Sequence, residues 1–488
     1  MQNLDGFIGG SYPERSLAYD AQRTINLLPV IGTQTSRYPA MLVNTPGLKF
    51  FLNLSSSACR GVHEVEGLWY GVFGNQVVQF DTSSNVIIAT GTLNTNAGFV
   101  SMEHNNNNQL AIVDGLFLYI VNTGGGSPSI TQVTNFTVAS GGGAFPSPTT
   151  VCFLDQYFIV SIANSQQFNW SNPNNGLLWN TLDEDFATSS PDNLVAVGTL
   201  NMQLYLFCQD RTEIWNNNPS LSTDPSQPIF TFNPSGTVLP FGLTGVTAFK
   251  FVNDGFAWLT STKLTSPHII FTTGSQAQVI STPAIEQLIG TFGDYSNSYS
   301  MVSHQQGAEC FILSFPSENF TLGYDFRTTL FHERSSYDGL TWIVNSIVSF
   351  GTNVELCGNS VDGNLYYLDQ NTYTDNGQPI IRTRISPHYA TEENNSFVSC
   401  FQLNMQPGVG LPSGLGSDPV VALEVSTDHG FTYGLKRLRK IGAQGKYYTR
   451  IRWNRLKRAR DRQYKITISD PVKVVIIKAS VDQEEGFN

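Results

Sequence analysis

Between residues 58 and 375 the chain repeats one pattern: an apolar stretch alternating with period two, a short polar turn, and a second stretch closing on an aromatic or acidic side chain. The segment 68–81 shows it plainly, with Leu-Trp-Tyr-Gly-Val-Phe, then Gly74-Asn75, then Gln-Val-Val-Gln-Phe-Asp. Alternation places successive side chains on opposite faces of a strand, and a two-residue Gly-Asn connection turns it into a hairpin. Related units occupy 98–122, 150–170, 194–215, 245–281, 299–334 and 347–369. Their starts fall roughly 40 to 55 residues apart, the spacing of four-stranded propeller blades rather than of a sandwich with its more frequent turns. Seven candidate units predict an all-β ring of six to eight blades, in which each blade buries its faces against its neighbours and leaves few free edges.

Two regions fall outside the repeat. Residues 1–57 read as an irregular N-terminal arm with one strand-like stretch at 24–29, ordered only through the second domain or a neighbour. From 376 to 488 the strands lengthen (380–386, 397–405, 420–426, 447–453, 463–469 and 472–481), with a Gly-, Pro- and Ser-rich loop at 406–419. The expected domains are therefore the arm 1–57, a β-propeller at 58–375, and a basic, β-sandwich-like domain at 376–488.

Composition excludes the main alternatives. Only 13% of the 488 residues are charged, while 43 are Gly and 23 Pro, which disfavours helix bundles and coiled coils. A 40% hydrophobic content is enough for several cores and excludes disorder. No apolar run reaches membrane-helix length, and residues 1–13 carry no secretory pattern, so synthesis in a reducing cytoplasm without membrane insertion is expected. Cys59, Cys152, Cys208, Cys310, Cys357 and Cys400 are scattered without a Cys-x-x-Cys pair and read as buried core thiols.

Charge is split along the chain. Residues 1–435 hold 12 Lys and Arg against 33 Asp and Glu, a net of −21, whereas 436–488 hold 15 against 5, a net of +10. The basic residues concentrate in 436–465, with 13 Lys and Arg and a single acid, Asp461. Within 447–453, Arg450 and Arg452 share one strand face, and Ile451 and Trp453 the other. A turn follows that carries Lys457, Arg458, Arg460 and Arg462. A solvated or internally paired face would explain these six cations. Docking onto an acidic surface would explain them too, and the acidic body points to this protein's own regions or a neighbouring subunit before DNA.

Catalytic signatures are sparse. Ser426-Thr427-Asp428-His429-Gly430-Phe431-Thr432-Tyr433 fits the Asp-box, with 335–342 and 360–367 as looser relatives. Here Ser426, Asp428 and Gly430 are read as a structural turn: the carboxylate accepts turn N–H groups and Gly supplies positive φ. A glycosidase needs two carboxylates facing one cleft. Asp183, Glu184 and Asp185 form the one dense acidic cluster of the propeller, placed in a loop, and leave a carbohydrate-active propeller as the alternative function. His63, His104, His268, His304, His332, His388 and His429 show no metal-ligand spacing, no nucleophile elbow or phosphate loop appears, and neither cofactor nor metal is expected. Runs at 105–108, 124–126 and 141–143 read as loops.

A series of short motifs then resembles one family, the tail hub or packaged-DNA stabilisation proteins of short-tailed bacteriophages. Near the start stand Gly10-Ser11-Tyr12, Arg15-Ser16, Gln22-Arg23-Thr24-Ile25-Asn26-Leu27 with Pro29, Thr45-Pro46-Gly47-Leu48 and Arg60-Gly61-Val62. Mid-chain are Thr212-Glu213-Ile214-Trp215, Ile280-Ser281-Thr282 with Ala284-Ile285-Glu286, and His332-Glu333-Arg334. The strongest come late: Tyr373-Thr374-Asp375-Asn376-Gly377, Arg384-Ile385-Ser386-Pro387-His388, Arg458-Ala459-Arg460-Asp461-Arg462 and Ser469-Asp470-Pro471. Residues 216–242 and the 123–148 loops depart from the pattern.

The resemblance implies a structural virion protein rather than an enzyme. It implies a homo-oligomer, a hexameric ring extending the portal and adaptor channel, with the head-to-tail adaptor and tail needle, fibre or tailspike proteins as partners. It also implies retention of packaged double-stranded DNA, passed on at ejection without sequence-specific binding. An acidic wall suits such a channel, because it offers the sliding phosphates no counterion-releasing contacts. A propeller binding nucleic acid through Arg450, Arg452, Arg458 and Arg460 is the third expectation.

Overall fold

The computed structural model describes all residues except 14–15, 34, 82–86, 126–127, 138–142, 218–231, 263–264, 306, 350–353, 391–393 and 487–488. Arg15, the glycines 126, 141 and 142, and most of the divergent 216–242 stretch lie outside the described residues. The described chain is all-β apart from the helix Pro283–Gly290 and one short 3-10 turn.

Seven four-stranded antiparallel units form the propeller. Their innermost strands are Cys59–Val65, Ser101–His104, Pro148–Leu154, Leu194–Leu200, Phe249–Val252, Tyr299–Gln305 and Val344–Ser349, and all seven contribute to the wall of one central cavity. The Gly74-Asn75 turn joins Leu68–Phe73 to Gln76–Phe80, with Gly74 at φ +56°. Blades adhere through apolar faces that alternation supplies on both sides of each strand. Between the third and fourth blades, Phe168 meets Trp215 edge-on at 5.2 Å, and Phe232 packs against Trp170 at 5.3 Å. Burying an aromatic side chain in this way contributes about 1.5–3 kcal/mol relative to exposure.

The seventh blade takes three strands from one end of the ring and its outermost strand, Gly47–Asn53, from the other, in register from Asp369↔Gly47 to Asn364↔Asn53. The ring is thereby closed by ladder hydrogen bonds between distant parts of the chain. Gly47 is required at this closure: a Cβ there would stand 2.4 Å from the Thr374 carbonyl oxygen.

The C-terminal domain is a β-sandwich. One sheet runs Leu27–Ile31, Ala40–Asn44, Val475–Glu485, Ser396–Met405, Ile451–Asn454; the other runs Ala21–Ile25, Arg382–Ile385, Asp461–Ile468, Val420–Ser426, Arg437–Lys440. Phe401, Trp453 and Tyr464 fill the space between, with the Phe401 ring 4.6 Å from Tyr464 and 5.8 Å from Trp453.

Residues 1–57, read as an irregular arm, instead supply six strands divided between the propeller and the sandwich sheets. Ala21–Ile25 lies between the sixth blade and the sandwich, pairing parallel with Leu330–Arg334 at Ile25↔Glu333 and antiparallel with Arg382–Ile385. Sixth blade and sandwich sheet are thus one continuous 11-stranded sheet. Only 24–29 alternates visibly by itself; Ala21–Ile25 and Gly47–Asn53 complete sheets with partners more than 300 residues away, which local pattern does not show.

Candidate assembly interface

The basic segment follows strand alternation where it is straight. Ile451 and Trp453 point into the sandwich core, while Arg452 and Asn454 face outward beside the exposed Arg450. Lys457, Arg458 and Arg460 are also exposed. Arg462 is not: it is 1% exposed, and its guanidinium donates to the Ser396 and Lys457 carbonyls at 2.7 Å each. The sequence places it among the interface cations; the structure makes it a core staple instead. The chain bends at Arg460 between the strands Arg458–Ala459 and Asp461–Ile468, after left-handed Arg455 and Lys457 at φ 60° and 69°, so parity does not carry across the turn.

The remaining cations are not neutralised internally. Among the described residues of 436–465, only Lys440 and Lys465 meet a carboxylate, on Asp418 and Glu424 respectively. Arg439 and Arg452 are held by polar tethers that leave their charge uncompensated. Arg439 Nε donates to the Arg452 carbonyl at 2.8 Å, Arg452 Nε donates to Gln402 Oε1 at 2.6 Å, and Trp453 Nε1 donates to the Arg437 carbonyl at 2.7 Å. Large apolar groups stand out from the same segment: Leu438 is 55%, Tyr447 65% and Tyr448 99% exposed. Arg and Tyr together on an exposed face are the composition of an interface core.

Beside this face the Asp-box forms as a turn. Asp428 Oδ1 accepts from the Thr432 N–H at 2.9 Å and from Ser426 Oγ at 2.7 Å, while Ser426 Oγ accepts from the Gly430 N–H at 2.9 Å. Gly430 has φ +85°. Thr432 and Ser426 donors stabilise the charged form and hold the Asp428 carboxyl down at about 2. Tyr433 reaches Gln463 Oε1 at 2.5 Å, with Lys465 Nζ 5.2 Å from its ring centre.

Several motif residues form a latch whose role sequence reasoning did not assign. Arg384 is wholly buried and donates to the carbonyls of Phe7 (2.7 Å), Gly10 (2.9 Å) and Gly6 (3.0 Å), and to Thr24 Oγ1 and Gln22 Oε1. Arg382 binds the carbonyls of Tyr373 and Asp470. Burial pulls both guanidinium groups down to about 10, still charged at neutral pH. Arg23 pairs with the buried Glu333 across the blade–sandwich seam, and Asp375 Oδ1 accepts from the Leu48 N–H at 3.2 Å. The available signal was the position of these charged residues within apolar strands.

The acidic cluster does not line the central cavity. Asp183, Glu184 and Asp185 lie in the strand Asn175–Phe186, not in a loop, with Glu184 and Asp185 paired to Asn169 and Phe168. Alternation puts Asp183 and Asp185 on one face and Glu184, which accepts from Gln167 Nε2, on the other. Burial pushes the Asp183 carboxyl up to about 6.

Tertiary pairing, which spacing could not reveal, joins histidines in two places. In the first, His63 Nε2 lies 2.9 Å from His104 Nδ1, next to Glu103. His63, Glu103 and Lys250 border the central cavity, of 480 Å³. Burial moves the Glu103 carboxyl up to about 7 and His63 down to about 3, and it lowers Lys250. The second group, His388, His429 and Asp461, lies in the sandwich. All six cysteines carry free thiols, five of them buried.

Residues 6–373 match the family model described as "Bacteriophage P22 Gp10, beta-propeller", and residues 382–484 match the one described as "Bacteriophage P22 Gp10, beta-sandwich". No curated protein matches the chain. Among solved structures, the Neurospora crassa Pan2 WD40 domain is similar at 8% identity and TM-score 0.41, over 67% of this chain and 94% of that one. The N-terminal domain of Nup159 is similar at 10% identity and TM-score 0.40, over 69% and 97%. The computationally designed Ika8 protein is similar at 10% identity and TM-score 0.39, over 66% and 99%. Likeness at this level bears on neither function nor partners.

Proposed function

We propose a function from the premise that this chain belongs to the bacteriophage P22 Gp10 family, in both its propeller and its sandwich parts: it is a structural component of a phage tail. In this reading, copies of the chain close a hexameric ring that prolongs the portal and adaptor channel, retains packaged DNA and conducts it at ejection. The head-to-tail adaptor binds one end, and needle, fibre or tailspike proteins bind the other. No reaction is catalysed.

The observation that carries the proposal is the uncompensated basic and aromatic face of the sandwich on a body of opposite charge. Arg450, Arg452, Lys457, Arg458 and Arg460 would dock it onto an acidic surface of a neighbouring subunit. Charge complementarity of this kind fixes register and suppresses wrong partners. The continuous sheet between sixth blade and sandwich supports the same reading, since it makes the protomer one rigid wedge. DNA would pass between protomers and not along a propeller axis. The axial cavity of 480 Å³ has the capacity of a small-molecule pocket, and a duplex with a major groove alone about 12 Å wide does not enter it.

The test is assembly of phage particles lacking the chain. Heads that package DNA and then lose it are the expected result. Particles that keep their DNA and stay infectious without the chain would overturn the function.

A further inference from the structure

Three remote segments bring His388, His429 and Asp461 together. Asp461 Oδ2 lies 2.7 Å from His388 Nδ1 and 3.1 Å from His429 Nδ1, and all the potential ligand atoms fall within 4.8 Å of one another. The side chains of His388 and Asp461 are 9% and 8% exposed, whereas His429 is 55% exposed and opens the group to solvent. Hydrogen bonding inside the triad leaves one polar atom unmatched: Asp461 Oδ1 has no hydrogen-bond partner among the described residues. An unmatched oxygen on a carboxylate so deeply buried is costly and calls for a physical reason.

We propose that His388, His429 and Asp461 form a binding site for a divalent transition metal of the Zn²⁺ class. Two imidazoles and one carboxylate are a borderline-soft ligand set, suited to zinc in tetrahedral geometry with water in the fourth position. Ligands on such an ion stand about 3.3 Å apart, given bonds of about 2.0–2.1 Å. The observed separations of 2.7 and 3.1 Å need to open by about 0.6 and 0.2 Å. The metal takes the place of the protons now held between the Nδ1 atoms and Oδ2, and a shift of the carboxylate brings Oδ1 into the shell.

The site is also pre-formed. His429 is held at φ 60° inside the Asp-box, whose Ser426–Asp428–Thr432 bonds and Gly430 fix the turn independently of the ion. Asp461 sits at the start of a sandwich strand paired with Tyr389–Ala390, beside His388. A bound ion therefore clamps the turn next to the basic face onto the sandwich. The other histidine group is a poorer candidate, because Lys250 stands near Glu103 and burial favours the neutral carboxyl there. This proposal does not depend on the tail function.

The experiment titrates the purified full-length chain with Co²⁺ and then displaces it with Zn²⁺. Expected are one bound ion per chain, the visible absorption of tetrahedral Co²⁺, and a higher melting temperature with Zn²⁺. His429→Asn keeps a residue that tolerates the left-handed turn, and should weaken Zn²⁺ binding by about 100-fold or more. Asp461→Asn should do the same, while Glu103→Gln should leave binding unchanged. Binding of no ion, binding unaffected by His429→Asn in a chain with unchanged circular dichroism, or loss through Glu103→Gln would each overturn the site.

Discussion

Arg384 and Arg458 belong to the same domain and carry the same side chain, and the fold uses them in opposite ways. Arg384 is wholly buried and spends its donors on six acceptors of the N-terminal segment. Arg458, with Arg450, Arg452 and Arg460, is exposed and meets no carboxylate among the described residues. The difference teaches that the number of arginines in a segment says little about its purpose. What decides is whether backbone carbonyls converge on the guanidinium. A buried cation with a full set of acceptors stabilises one arrangement of the chain, whereas an exposed one without partners adds little to the monomer and is free to meet another surface.

That contrast orders the expected effects. The largest loss of stability should follow Arg384→Met, which strands the Phe7, Gly6 and Gly10 carbonyls: about 3–5 kcal/mol by urea unfolding. A loss under about 1 kcal/mol would show that the latch is not where the two domains are joined. Glu333→Gln should cost less, about 1–2 kcal/mol, because its partner Arg23 is half exposed and screened. Limited proteolysis of that variant should release the segment before residue 58 sooner than in the parent chain.

Two further variants probe acidity. Glu103 is held protonated by burial to about pH 7, so the folded chain binds a proton that the unfolded chain has already lost above about 4.5. Stability should fall as pH rises through this window. Glu103→Gln should abolish that slope and raise the melting temperature more at pH 8 than at pH 5; an equal change at both pH values would contradict the assignment. Asp428 titrates in the opposite sense. Its depressed value near 2 means that its contribution is present above about pH 4 and is lost as pH falls toward 2. Asp428→Asn should flatten a small acid-side slope, and an unchanged slope would remove the turn bonds as its cause. The smallest effect on stability belongs to Arg458→Glu with Arg460→Glu, expected within about 0.5 kcal/mol of the parent chain.

Much of this was legible in the sequence. The hairpin at 68–81, the ring of blades and the sandwich follow from period-two alternation and from turns such as Gly74-Asn75, and the opposite faces of Trp453 and Arg452 followed from alternation alone. What escaped were long-range partners. Gly47–Asn53 becomes a blade strand only beside Asn364–Asp369, and Ala21–Ile25 only between Leu330–Arg334 and Arg382–Ile385. Arg462 was misplaced because a bend at Arg460 resets the alternation. The histidine groups escaped for a related reason, since His388, His429 and Asp461 meet through sheet pairing and not through spacing. Local pattern specifies the strands here, and the charged residues buried in apolar strands specify how they are joined.

The central claim is that the exposed arginines serve assembly and the buried ones serve the fold. It is tested most directly by counting copies of the Arg458→Glu, Arg460→Glu chain in purified phage particles, with the melting temperature of the free chain measured alongside. Unchanged melting with incorporation reduced at least about tenfold, a coupling of about 1.4 kcal/mol or more, is the predicted result. Full incorporation by a normally folded variant would contradict it.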